Sequence, residues 1–390
     1  MDKNLYFDAA ASALKPASVI KAEMVFLTDS YANAGRGICG RATAVDKMVS
    51  TTRTRVARFI NAEPDQVIFT SGATDGLNRI VSIIINQSWY RVESNFTVSD
   101  LDHHSARLPW EALLHRGKIN EMHICNLDEN LDIDLGSIPA TDFFIITAMS
   151  NVLGRSQDVA KIIAAARAKN PKVVTIVDAS QYVVHASIDV KKWDCDFMVF
   201  SGHKIGADTG LGVLYIRDVD KYSPDKFGGG MVSAVGDCEV ASKVSRCAWV
   251  HKNNQESCWV TNQGAEKWEA GTLPLTQIAG LGPAIDYLEQ NRPNLDLIKY
   301  AYDELSKSPN LEIITQRDSC LLSFVVKTMH PLDFGALVGA KGLCVRVGNM
   351  CAAWIHKHLG ISGTVRLSVG TWNTMDEVKQ AIEIIRDVAK

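Results

Sequence analysis

Three segments place reactive side chains where short hydrophobic runs end. Phe197–Phe200 leads into Ser201-Gly202-His203-Lys204, which packs a hydroxyl, an imidazole and an amine into one short stretch. An amine attacks a carbonyl usefully only if its site lowers its pKa or holds it as an imine. Val173–Val177 leads into Asp178 and then Gln181, so a carboxylate follows a second run. Val67–Thr70 leads into Ser71-Gly72-Ala73-Thr74-Asp75-Gly76, a small-residue turn opening a helix, where free amides and a hydroxyl can hold a phosphate. Each stretch alone has an ordinary reading: a surface lysine, a capping aspartate, a Ser/Thr turn. Together they supply phosphate donors, an acid for a ring nitrogen and an imine-forming amine, the set that a pyridoxal 5′-phosphate site requires.

Such a set needs a scaffold that brings successive strand ends together. The first two thirds of the chain alternate β-branched runs with amphipathic segments, the pattern of a mainly parallel sheet covered by helices. Strands are expected at Val67–Thr70, Phe96–Ser99, Phe143–Thr147, Val173–Val177, Phe197–Phe200 and Gly212–Ile216, in β-α-β order throughout, with helices over Asp75–Ile85 and Asp158–Ala168. Ligands of open α/β sheets bind beyond the carboxyl ends of the strands, where the reactive residues stand. After Gly271 the pattern becomes a smaller α+β arrangement ending in a helix from Asp376. The expected division is a large domain over 22–277 and a small one from 1–21 and 278–390. The stretch Gly228–Trp259, which holds Cys238, Cys247 and Cys258, reads as a surface insertion.

Composition narrows the function classes. The 390 residues are 46% hydrophobic and 22% charged, a globular profile, and the formal net charge of -3 disfavours a counterion-driven nucleic-acid binder. No apolar run reaches the length of a bilayer span and no signal-peptide pattern follows Met1, so a soluble, cytoplasmic protein is expected, with no membrane partner. Nine cysteines without CxxC spacing fit reduced thiols better than disulfides or a zinc site, and no metal is expected.

The chain resembles the group II (SufS/CsdA-like) cysteine desulfurases of the class V aminotransferase superfamily, from Tyr6-Phe7-Asp8-Ala9-Ala10-Ala11 to Val365-Arg366-Leu367-Ser368. The resemblance implies fold type I of the pyridoxal-phosphate transferases, with a mainly parallel seven-stranded sheet. It also implies that Lys204 forms the imine, that Asp178 pairs with the ring nitrogen and that Gln181 bonds the ring hydroxyl. His103 would stack on the ring, and Ala73, Thr74, Ser201 and His203 would hold the phosphate. Gly271 and Thr272 would reach the phosphate of a neighbouring subunit, which makes a homodimer the expected assembly. Asn151 and Arg366 would bind the substrate carboxylate, Arg366 as a bidentate fork.

The most discriminating segment is Arg346-Val347-Gly348-Asn349-Met350-Cys351-Ala352, which is similar to the family pattern R-x-G-x-x-C-A around the sulfur-accepting cysteine. A free cysteine is ordinarily a buried core residue. That reading is kept for the other cysteines and set aside for Cys351, whose flanking motif and spacing to Arg366 fit a short active-site loop. The implied reaction takes L-cysteine to L-alanine and leaves a persulfide on Cys351 for a protein acceptor. Arg346 and His103 are the candidates to favour the thiolate. The sequence departs from the family pattern at Ala9, Gly35 and Cys39 and in the length of 228–259. Two alternatives stay open: a selenocysteine lyase or other class V lyase or aminotransferase, and a catalytically idle partner in sulfur assembly. Retention of Lys204, Asp178, His103, Cys351 and Arg366 weighs against the idle partner.

Overall fold

The computed structural model describes residues 4–35, 37–236 and 258–390. Its main sheet has seven strands, in the spatial order Val67–Thr70, Gly212–Ile216, Phe197–Ser201, Val174–Asp178, Phe143–Thr147, Asn95–Ser99 and Glu121–Cys125. Runs such as Phe143–Thr147 and Phe197–Ser201 are buried at every position, as strands covered on both faces must be. The faces are covered by helices that include Ala73–Ile85 on one side and Val159–Lys169 on the other, and each face has its own hydrophobic cluster. Asp158 caps the second of these helices, accepting from the Lys161 amide at 3.2 Å.

The expected β-α-β order fails at two places. Between Glu121–Cys125 and Phe143–Thr147 only the short 3-10 turn Leu135–Ser137 intervenes, and at the second place the chain reverses. Phe197–Ser201 and Gly212–Ile216 are antiparallel, joined by a tight helical turn and a short loop. Ten residues between the strands are too few for a crossover helix and a return, so the chain reverses instead. Gly212–Ile216 also pairs antiparallel with Val67–Thr70, and it alone runs against the rest of this sheet. The strand read as Val173–Val177 is Val174–Asp178, so Asp178 is part of the ladder rather than the residue after it. The edge strand Glu121–Cys125 is absent from the sequence reading. Its half-exposed face lacks the apolar run or clean alternation that marks a strand.

Beyond the long helix Leu275–Gln290, four antiparallel strands line up as Leu311–Ile313, Leu322–Val326, Thr364–Leu367 and Arg346–Gly348. Phe324, Phe334, Leu367, Val378 and Ile382 form their core. The N-terminal segment closes against these strands: Leu5–Tyr6 pairs parallel with Leu343–Cys344, Asp8 bridges to Ser368, and Phe7 is buried in the same core. Strands Val232–Gly236 and Cys258–Thr261 pair antiparallel. The middle of the expected insertion, with Cys238 and Cys247, lies outside the described residues. No described helix is long and apolar enough to cross a membrane.

Candidate active site

The carboxyl ends of the main strands open on a cavity of about 340 Å³. Lys204, Asp178, His103, Cys351, Arg346 and Arg366 all line it, and so do Ala73, Thr74, Asn151, Gln181, Ser201 and His203. Gly271 and Thr272 do not; both are exposed on this chain and lie outside that lining.

Lys204 sits in the tight turn Gly202–Ile205 that follows a main strand, and its Nζ donates to the Ala10 carbonyl at 2.5 Å. Burial lowers its pKa to about 8, with Arg366 pushing the same way and Asp178 opposing. A useful fraction of free amine therefore exists near neutral pH. Asp178 ends the adjacent strand, buried, with one carboxylate oxygen taken by the Ser180 amide at 3.0 Å. Gln181 Nε2 donates to the same Ala10 carbonyl at 2.7 Å, whereas its Oε1 is buried with no partner among the described residues. Leaving such an acceptor unpaired costs about 1–3 kcal/mol, so the position calls for a donor.

The start of helix Ala73–Ile85 is built so that it could hold a phosphate. The residue preceding the helix, Gly72, takes φ 152 and leaves the helix without a side-chain cap. Ser201 Oγ accepts from the Ala73 amide at 2.8 Å, and the Thr74 and Ser105 hydroxyls meet at 2.8 Å. Glycine at 212 lets the two backbones touch, because a Cβ there would come within 2.5 Å of Gly72 Cα. Burial, helped by Lys204, pushes His203 down to about 4, so its ring is neutral and offers an N–H rather than a charge.

His103 caps helix His104–His115; its Nδ1 accepts from the Ser105 amide at 3.1 Å, which assigns the proton of the neutral ring to Nε2. Burial lowers its pKa and Asp178 opposes. Behind it Asp102 is wholly buried and raised to about 6 by that burial, despite bonds from the Ser99 amide at 2.7 Å and the Thr147 hydroxyl at 2.6 Å.

Cys351 lies between strand Arg346–Gly348 and helix Ala353–His358, its side chain exposed at the cavity. Met350 and Cys351 are both left-handed, with φ 52 and 56. Such backbone costs a non-glycine residue about 1–2 kcal/mol, and it persists where neighbours over-determine it. Two asparagines contribute here: Asn151 Nδ2 donates to the Met350 carbonyl at 2.8 Å and Asn349 Oδ1 accepts from the Cys351 amide at 3.2 Å.

Arg366 is 2% exposed, and burial brings its pKa down to about 10 against the pull of Asp8, which leaves it charged at neutral pH. It donates to the Asn151 carbonyl at 2.7 Å and to Asp8 at 3.2 Å, while its Nε is buried without a partner. That spare donor suits an incoming carboxylate. Arg346, exposed, reaches Asp8 Oδ2 at 2.6 Å.

Two residues of this region escaped the sequence reading. Asp8 stands within the Tyr6–Ala11 motif with no role of its own there, although an acid followed by small residues is the available signal. His104 stands beside His103 at a helix start, where only one of two adjacent rings can line the cavity.

The residues fit pyridoxal phosphate on three counts: the uncapped helix start backed by hydroxyls, the unpaired Gln181 Oε1, and a buried amine of lowered pKa sharing the cavity with a carboxylate. Among the described residues no group of three metal-binding side chains occurs.

Fold and site together define a fold type I transferase. The chain belongs to the aminotransferase class-V family, whose pattern matches residues 5–381. It is 32% identical to the cysteine desulfurase of Cronobacter sakazakii over 97% of this chain and 91% of that one. It is 29% identical to the cysteine desulfurase of Wigglesworthia glossinidia brevipalpis, over 99% and 93% of the two chains. Among solved structures, an apo cysteine desulfurase from Thermococcus onnurineus superposes with TM-score 0.88 at 26% identity, covering 100% of this chain and 95% of that one. The cysteine desulfurase CsdA of Escherichia coli, in an S-sulfonic acid form, gives TM-score 0.85 at 27% identity over 99% and 95%.

Proposed function

We propose that this chain is a pyridoxal-phosphate-dependent cysteine desulfurase of the group II kind, converting L-cysteine to L-alanine and carrying the sulfur as a persulfide on Cys351. The observation that carries this reading is a single cavity lined by the thiol of Cys351, the amine of Lys204, the carboxylate of Asp178 and the guanidinium of Arg366. Names of relatives along the whole chain support it.

Lys204 would hold the cofactor covalently through its amine. Asp178 and Gln181 would bond the ring nitrogen and ring hydroxyl, and Ala73, Thr74, Ser201 and His203 would bond the phosphate. When bound, the cofactor supplies an electron sink for charge developing at the α-carbon of an amino acid. Everything else falls to the chain. Arg366 takes the substrate carboxylate through Nε and Nη2, with Arg346 and Asn151 beside it, which fixes the orientation of the amino acid. Lys204, with its lowered pKa, is suited to take and return a proton near neutral pH. His103 would lie over the ring, with the proton of its neutral imidazole on Nε2. Cys351 attacks the substrate sulfur as a thiolate: an S–S bond forms, the C–S bond breaks, and the three-carbon remainder leaves as L-alanine after taking a proton.

The exposed position of Cys351 suits transfer of the persulfide to a protein acceptor, for iron–sulfur cluster or thio-cofactor assembly. Gly271 and Thr272, exposed on this chain, suit a role at the phosphate of a second copy, so we take the enzyme as a homodimer. We also take 22–277 and 1–21 with 278–390 as its two domains, and the cytoplasm, where its thiols stay reduced, as its location.

An absorbance spectrum of the purified protein, followed by assay of alanine and bound persulfide after adding L-cysteine, tests cofactor and reaction together. Visible colour, alanine and persulfide in equal amounts are expected. Pyruvate in place of alanine would mark β-elimination and overturn the reading, and a colourless protein that binds no cofactor would point to the idle partner.

A further inference from the structure

Besides Asn151 and Asn349, the start of helix His104–His115 holds the strained turn at Cys351 from outside its own loop. The His104 amide donates to the Cys351 carbonyl at 2.7 Å, and the His104 Nε2 accepts from the Ala353 amide at 3.2 Å. One residue therefore grips the main chain at the nucleophile itself and again two residues on. The imidazole is fixed in turn by Trp354, whose ring meets it edge-on at 5.0 Å and 79°. Arg107 lies over that indole at 4.0 Å and is held by Glu111 at 2.7 Å. Asp100, at 3.4 Å from Arg107, also receives His358 at 3.1 Å, from the far end of the short helix that follows Cys351. His104 does not line the cavity.

We propose that His104 is a positioning residue for sulfur transfer: its main-chain amide and ring nitrogen together fix the left-handed turn that aims Cys351 into the cavity, and Trp354 keeps the ring in place. The proposal rests on the reading of Cys351 as the sulfur acceptor. Accepting the Ala353 N–H requires a lone pair on Nε2, hence a neutral ring protonated on Nδ1. Burial favours this by lowering the His104 pKa, with Glu111 opposing. A peptide group that loses this acceptor lets the turn relax, and a displacement of about 1 Å at a nucleophile can cost up to a hundredfold in rate.

The test uses the loaded enzyme. His104→Leu keeps bulk against Trp354 and removes the acceptor, while His104→Gln restores an acceptor at nearly the reach of Nε2. For His104→Leu, the first-turnover rate of alanine formation at saturating L-cysteine should fall tenfold or more, with KM and the visible spectrum at their parental values. His104→Gln should recover most of that rate, and alkylation of Cys351 by iodoacetamide should differ from parental only in the leucine variant. A leucine variant with the parental rate overturns the proposal. So does a glutamine variant as slow as the leucine one, or a spectrum or KM that moves together with the rate, since these mark a general structural role. Cys351→Ala in the same assay separates the two claims. If it is fully active the reading of Cys351 fails; if it is dead beside an active His104→Leu, only the positioning role fails.

Discussion

Arg346 and Arg366 are directly opposed residues on neighbouring antiparallel strands, and both reach the carboxylate of Asp8, at 2.6 Å and 3.2 Å. Like charges set opposite each other across a ladder repel. Asp8 offsets that repulsion and lets two guanidiniums converge on the place proposed for the substrate carboxylate. Removing the acid would leave Arg366 buried with only a carbonyl partner. Asp8→Asn should therefore lower the stability of the protein by about 2 kcal/mol, the scale of breaking a largely buried charge pair. A urea unfolding midpoint equal to the parental one would show that the Asn151 carbonyl suffices to hold Arg366.

Lys204→Ala removes the only side-chain amine among the described residues that line the cavity. The purified variant should lack the visible absorbance of lysine-bound cofactor and should make no alanine from L-cysteine. Full colour with full activity would refute the role given to Lys204.

Cys351→Ala should leave that colour in place, because Cys351 is absent from the residues assigned to the cofactor. Sulfur transfer from L-cysteine should fall to background, about a hundredfold or more, as when a nucleophile is removed. Sulfide release at the parental rate would remove the persulfide step.

The lowered pKa of Lys204 predicts a pH dependence. Only the neutral amine attacks an aldehyde, so cofactor capture by the apoenzyme should be slow at pH 6, rise through about 8 and level off above it. An unperturbed lysine would keep gaining up to about 10.5. The growth of visible absorbance after adding cofactor across this pH range decides between them. A rate still climbing at pH 10 would mean that burial does not depress this amine.

What could be read from the sequence was local. Asp178, Ser201, His203 and Lys204 were visible because each belongs to, or follows within a few residues, a short hydrophobic run, and parallel sheets bring such ends together. The helix expected from Asp158 was legible because a carboxylate favours a helix start electrostatically without a tertiary partner. Features that depend on distant contacts were not legible. The reversal at Gly212–Ile216 follows from a loop too short for a crossover, yet the strand itself reads like its parallel neighbours. Asp8 gains its meaning only when it bridges to Ser368 and meets both arginines. His104 and Trp354 are ordinary helix residues until Cys351 is laid against them.

Lys204 follows a strand packed on the larger hydrophobic clusters, whereas Arg346 and Arg366 hang from strands whose Val347, Val365 and Leu367 pack in the smaller one. Catalytic alignment is thus divided between two separately cohesive foundations. Damage to the second, such as hollowing out Phe324, would loosen the grip on the amino acid while the protein stayed yellow, so pigment would be a poor proxy for competence.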